Sequence, residues 1–250
     1  MPTASNCELE RGYDGDRMKR LRGLAADACF RYRAISVVPV LLAILVFFRP
    51  GDFGRLDPWL SAGGLAVALL GAAMRIVAVG FSKPSTSGRE NFLKAENLNT
   101  SGLYSIVRNP LYVGNFLIYN GVLLAFASPA ALLLFNAFFL VNYYFIIHSE
   151  ECFLEKQFGD EYRAYKARVP RVIPRLSLYR RNDYPFSAAK AVVRERGTTF
   201  YWVLFYAVAL LVKQYRLNDG VIVHFWRYAV PVLLLFALHV FLTLSGHKRD

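Results

Sequence analysis

Two apolar runs joined by a single tight turn constrain this chain more than any other feature. Leu111 to Ala127 is one run, Ala130 to Ile147 the other, and Ser128-Pro129 lies between them. Pro129 has no backbone N–H and cannot continue the preceding helix, so the pair reads as a hairpin. Each run has about 17–18 residues, near the lower limit for crossing a bilayer as a helix. A tight turn makes the two helices antiparallel. Their outer ends therefore return to one face, carrying Arg108-Asn109-Pro110 and Glu150-Glu151. Charge held at a membrane edge is costly, so a cation, an amide and two carboxylates gathered there mark a candidate site.

The rest of the chain extends this reading. Hydrophobic residues make up 55% of the 250, too many for an ordinary soluble domain. Six apolar spans are expected, over 34–48, 58–81, 111–127, 130–147, 200–212 and 221–244. The expected fold is all-α, a polytopic membrane bundle of about six transmembrane helices with the candidate site on its cytoplasmic side. Gly63, Gly64, Ala68, Gly71, Ala72 and Ala73 in the second span allow close helix contact. The first span follows a long charged segment and does not read as a cleaved signal peptide. The expected division is a basic N-terminal arm over 1–33, a membrane core over 34–176, a cytoplasmic linker over 177–199, and an additional transmembrane hairpin and tail over 200–250.

Lysine and arginine number 7 in the arm, 4 over residues 82–110, 11 over 149–199 and 2 in the tail. The opposite loops carry only Arg49, Arg55, Lys213 and Arg216. By the positive-inside rule both termini are cytoplasmic. The formal net charge of +12 then serves anionic headgroups. No nucleic-acid-reading motif accompanies it, so nucleic acid is not an expected partner. Cys7, Cys29 and Cys152 all fall on the cytoplasmic side, without zinc spacing and without expected disulfides.

The stretch around the hairpin carries three ordered motifs. Ser101-Gly102-Leu103-Tyr104-Ser105-Ile106-Val107-Arg108-Asn109-Pro110-Leu111-Tyr112-Val113-Gly114 comes before it. After it come His148-Ser149-Glu150-Glu151, then Phe158-Gly159-Asp160-Glu161-Tyr162-Arg163-Ala164-Tyr165 and Arg168-Val169-Pro170-Arg171. Together, over residues 60–176, they resemble the isoprenylcysteine carboxyl methyltransferase and phospholipid methyltransferase superfamily, integral membrane enzymes that use S-adenosylmethionine. Asn109 departs from the pattern, standing where many members have His.

The resemblance implies cofactor contacts from Gly102, Tyr104, Arg108, Asn109, Pro110, Tyr112, Gly114, Glu150 and Glu151. It implies that Arg168 orients the acceptor, with Arg163 and Glu151 beside the reacting groups and Arg75, Tyr165 and Arg171 toward the substrate. The residue types suit these roles. Arg108 can hold a carboxylate in bidentate fashion, and Asn109 can donate and accept. Pro110 suits the first turn of a helix, whose free amides favour anions. Consecutive helix residues diverge by about 100°, so one of Glu150 and Glu151 faces the cofactor while the other pairs with Arg108 or Arg163. The arginine-rich strip favours an anionic oxygen, a carboxylate or a phosphate, on a lipophilic acceptor. An ethanolamine headgroup is the alternative. A metalloenzyme reading rests on His148, Glu151 and Glu155, which share one helical face, and it is poor in further ligands. A transporter or scaffold reading would want discontinuous spans or repeats.

Overall fold

The computed structural model describes residues 36–83 and 96–246. The basic arm over 1–33 and the Gly88-Arg89-Glu90 segment lie outside them. Among the described residues the regular structure is helical. We label the helices α1 (Val37–Phe47), α2 (Asp57–Gly80), α3 (Leu103–Ile106), α4 (Pro110–Phe126), α5 (Pro129–Arg168), α6 (Ala188–Leu217) and α7 (Trp226–Gly246).

The hairpin forms where the sequence places it. α4 starts with Pro110 and ends at Phe126, Ala127 takes the left-handed conformation, and Pro129 opens α5. The core beneath it joins four helices. Val37, Leu41 and Ile44 of α1 meet Val122 and Phe126 of α4, Phe135, Phe139 and Ile146 of α5, and Ala209 of α6.

α2 and α4 lie antiparallel and unusually close. A Cβ added to Gly64 would stand 2.4 Å from the Gly121 carbonyl, and one added to Gly71 would stand 2.5 Å from the Gly114 carbonyl. Small residues seven apart on each helix therefore face each other, as membrane helices require for close approach. Gly114 belongs to this seam: a Cβ there would meet Arg75 Cγ at 2.5 Å. It makes room for α2 instead of contributing a wall to the cavity described below.

The end of the bundle away from Glu150 is tied by charges. Lys213 Nζ reaches Asp57 Oδ1 at 2.9 Å and the Ala125 carbonyl at 3.3 Å. Arg216 donates to the carbonyls of Phe48 and Val46, and the Gly51 amide donates to Ala127 O at 2.9 Å. The loops expected on one face thus do meet there.

Two expectations need correction. The stretch 188–199, expected as linker, is the first 12 of the 30 residues of α6. Ser187 caps it by accepting from the Lys190 amide, a normal N-cap role for serine. Cys152, expected as a free thiol, is disulfide-bonded. Its partner lies outside the described residues.

Three helices are long and apolar enough to cross a membrane: Gly54–Gly80, Pro129–Arg168 and Trp226–Leu244. α1 and α4 are shorter apolar helices. α7 leaves Leu233, Leu234 and Phe241 exposed, and its inner side stacks His239 on Phe200, with ring centroids 5.6 Å apart.

The α2–α4 seam yields a paired test. Gly121→Val should push the helices apart and destabilise the fold by roughly 1–3 kcal/mol, read as a lower thermal midpoint in detergent. Gly63→Ala should hold or raise the midpoint, because a Cβ there meets nothing within 4 Å and alanine is the better helix former.

Candidate active site

The site is assembled by folding the chain back twice. Inside α5, Gly159 has φ 52 and ψ −123, a backbone state open essentially only to glycine. The break turns the Tyr162–Tyr165 segment inward. Tyr162 and Tyr165 pack with Leu98 and Val169, and the Tyr165 hydroxyl donates to Tyr104 O at 2.7 Å. Beyond α5 the chain runs alongside the segment before α4. The Arg108 amide donates to Pro170 O and the Arg175 amide to Ile106 O, both at 2.9 Å. Asn109 Nδ2 donates to Arg171 O at 2.9 Å. Gly102 holds the preceding turn at φ 60, where a Cβ would overlap the Asn182 side chain.

This folding sorts the two carboxylates. Glu151, 6% exposed, lies between Arg108 Nη2 and Arg171 Nε, each 3.2 Å away. Glu150 points to the other side and accepts from the Tyr112 hydroxyl at 2.7 Å. The roughly 100° step between neighbouring helix residues gives one carboxylate to an ion-pair network and turns the other toward Tyr112 and the space beside it.

That space is a cavity of about 820 Å3, within the usual range for a small-molecule site. Tyr104, Arg108, Asn109, Tyr112 and Glu150 line its polar end. Val37 and Leu41 of α1, Ile118 and Val122 of α4, and Trp202 and Phe205 of α6 line its apolar part. Arg108 Nε is buried without a hydrogen bond, an uncommon state that asks for an acceptor. Burial, followed by the Glu150 carboxylate, raises the Tyr104 pKa above its ordinary value. Its phenol therefore stays protonated and able to donate.

Arg75, expected toward the substrate, lines the cavity but has another role. Its five donors are all engaged. Nε and Nη2 meet the two Glu195 oxygens at 2.9 and 3.1 Å, Nη2 also reaches Thr198 Oγ1, and Nη1 donates to Asn115 Oδ1 and Leu111 O. The guanidinium clamps α2, α4 and α6 and leaves no N–H for a ligand.

Of the expected site residues, the fold brings Arg75, Tyr104, Arg108, Asn109, Pro110, Tyr112, Glu150 and Tyr165 onto the cavity. Gly102, Gly114, Glu151 and Arg171 stand behind it as turn, seam and ion-pair residues. Arg168 is exposed and off the cavity lining. So is Arg163, whose side chain is 48% exposed and pairs with Asp160 at 2.7 Å. The face of His148, Glu151 and Glu155 is divided among partners: Glu151 to the two arginines, Glu155 to Lys166 at 3.1 Å, and His148 to Cys152. Sequence reasoning missed Asn115 and the α6 residues Arg194, Glu195, Arg196 and Thr198. The one available signal was Arg75, a membrane cation in need of a counter-charge.

Glu195→Ala should strand the Arg75 charge in a buried setting and cost about 3 kcal/mol or more. A fall in the thermal midpoint of the purified protein would show it. Asp160→Ala, at the 96% exposed end of a surface pair, should leave the midpoint where it is.

Comparison with known proteins places the chain in a family. The sequence profile of a family described as phospholipid methyltransferase matches residues 61–161. A nickel-cobalt-cadmium resistance protein of Alcaligenes xylosoxydans xylosoxydans is 35% identical over 148 residues, 58% of this chain and 64% of that protein. A cobalt-zinc-cadmium resistance protein of Cupriavidus metallidurans is 36% identical over 144 residues, 58% and 63% of the two chains. The chain thus spans just under two thirds of the length of these two relatives. Protein-S-isoprenylcysteine O-methyltransferase B of Arabidopsis thaliana is 32% identical over 151 residues, 57% of this chain and 73% of that protein. No solved structure matches the chain. Because the match reaches from the glycine seam through Glu150 and covers most of a named isoprenylcysteine methyltransferase, the chain belongs to the isoprenylcysteine carboxyl methyltransferase and phospholipid methyltransferase superfamily.

Proposed function

We propose that this protein is an integral membrane methyltransferase that moves a methyl group from S-adenosylmethionine to a lipophilic acceptor bearing an anionic oxygen. One observation carries the reading. A single cavity has Arg108, Asn109, Tyr112 and Glu150 at one end and apolar side chains of α1, α4 and α6 at the other. A polar cofactor and an apolar acceptor can then meet within it. In this reading α1, α2, α4, α5, α6 and α7 cross the membrane, both termini are cytoplasmic, and the polar end opens to that side. The positive-inside asymmetry supports the orientation.

The residues present fit the cofactor. Arg108 Nε, buried and without a hydrogen bond, suits a carboxylate. Glu150 suits an ammonium or a ribose hydroxyl, and the neutral Tyr104 phenol can donate. Asn109 is fixed by its bond to Arg171 O, so its side-chain oxygen can accept. It cannot relay a proton as an imidazole would. When bound, S-adenosylmethionine supplies an electrophilic methyl on a sulfonium centre. An anionic oxygen is already a nucleophile and needs no general base, which agrees with a site that offers orientation instead of proton transfer. Holding two reactants in line can supply about 7–11 kcal/mol in favourable cases. The apolar wall would exclude water and align the acceptor's tail. The exposed Arg163 and Arg168 take no part in this arrangement.

Calorimetric titration of the detergent-purified protein with S-adenosylmethionine is the deciding measurement. Saturable binding is expected, weakened about tenfold or more in Arg108→Ala and Glu150→Ala, and unchanged in Arg168→Ala. Well-folded wild-type protein that binds no cofactor would overturn the reading.

A further inference from the structure

We propose that Arg194 and Arg196 of α6 bind the anionic head of the acceptor, and that α6 is therefore the helix that selects the substrate. This rests on the methyltransferase reading above and assigns the acceptor end of the same cavity.

Both arginines line the cavity and are half-buried. Neither makes a hydrogen bond or an ion pair among the described residues. The other cavity cations have other tasks: Arg75 spends all five donors on Glu195, Thr198, Asn115 and Leu111, and Arg108, paired with Glu151, is assigned above to the cofactor. Glu195, between the two arginines in sequence, has both oxygens on Arg75, and Glu150 accepts from Tyr112. Lys190, one turn before Arg194, adds a third positive charge, and its ammonium donates to Ser82 O. Uncompensated guanidinium groups in a partly desolvated cavity favour an anion, which they bind by charge-assisted bonds.

The same helix supplies the tail's wall. Trp202 lies eight residues beyond Arg194, about 12 Å along the axis, and Phe205 follows it. Cationic groups above an apolar wall match a single amphiphile with an anionic head. The anion could instead be the cofactor's own carboxylate, so the test separates the two sources.

The protein is placed in phosphatidylcholine nanodiscs. Binding of dodecyl phosphate and of dodecanol is followed through tryptophan fluorescence, with Trp202→Phe to identify the signal and empty discs to correct for partition. S-adenosylmethionine affinity is measured in parallel by calorimetry. Wild type should bind dodecyl phosphate about tenfold or more tightly than dodecanol. The R194Q/R196Q double variant should lose that preference and keep its cofactor affinity within about twofold. R194K/R196K should recover part of the preference, which separates lost charge from misfolding. A wild type with no preference for the phosphate overturns the proposal. So does a double variant that keeps the preference but loses cofactor affinity, which would give these arginines to the cofactor. Phosphate preference in a protein that binds no S-adenosylmethionine would sink the methyltransferase reading while leaving the anion site standing.

Discussion

The guanidinium of Arg75 is the group on which the architecture turns. A charge within a membrane helix must find partners or be expelled toward water. Here it finds five acceptors on two other helices, Glu195 and Thr198 on α6 and Leu111 and Asn115 on α4. A buried ion pair is weak evidence for stability, since desolvation offsets most of the Coulomb gain. Its effect on arrangement is stronger. Docked in this way, α6 leaves both Arg75 and Glu195 compensated. Docking α6 in this way closes one wall of the cavity, and without it the α2–α4 seam would have an open flank.

The ion pairs at the polar end act in the same manner. Arg108 and Arg171 both lie on Glu151, which joins the start of α4 to the returning tail beyond α5. The tail can return because Gly159 breaks α5 without a side chain in the way. Tyr162 and Tyr165 then seal the turn against Leu98. The motif Phe158-Gly159 through Tyr165 is thus a folding device: a hinge and two aromatic plugs. Its consequence for the site is indirect but decisive, since it fixes Glu151 and so directs Glu150 to the cavity.

Much of this was legible in the sequence, and what was not has a common cause. The hairpin, its Pro129 turn and the return of Arg108 and Glu150 to one end follow from local rules about proline and helix period. The division of labour between Glu150 and Glu151 follows from the helix period too. The glycine seam is visible on α2, but on α4 Gly114 closes the motif that carries the family resemblance, and a motif does not tell a packing glycine from one beside a cofactor. The start of α6 was missed because its first turns, Lys190 through Arg196, are as polar as a linker. Only a partner 120 residues away makes Glu195 a core residue. Arg163 and Arg168 were assigned by motif, and motif position does not reveal which way a side chain leaves a bent helix.

The cavity also divides along the chain. Its polar end comes from Tyr104 to Glu150, inside the stretch that matches the family over residues 61–161. Much of the remaining wall, Trp202 and Phe205 included, comes from α6, which lies wholly outside that stretch. The relatives that share the core bear unlike names, metal-resistance proteins on one side and an isoprenylcysteine O-methyltransferase on the other. Arg108 and Glu150 are held by partners outside α6, Glu151 and Tyr112. The one element common to both ends is Arg75, which grips α6 from inside the core. A helix at the place of α6 with no carboxylate at the position of Glu195 would leave the Arg75 charge buried without its counter-charge, which is costly.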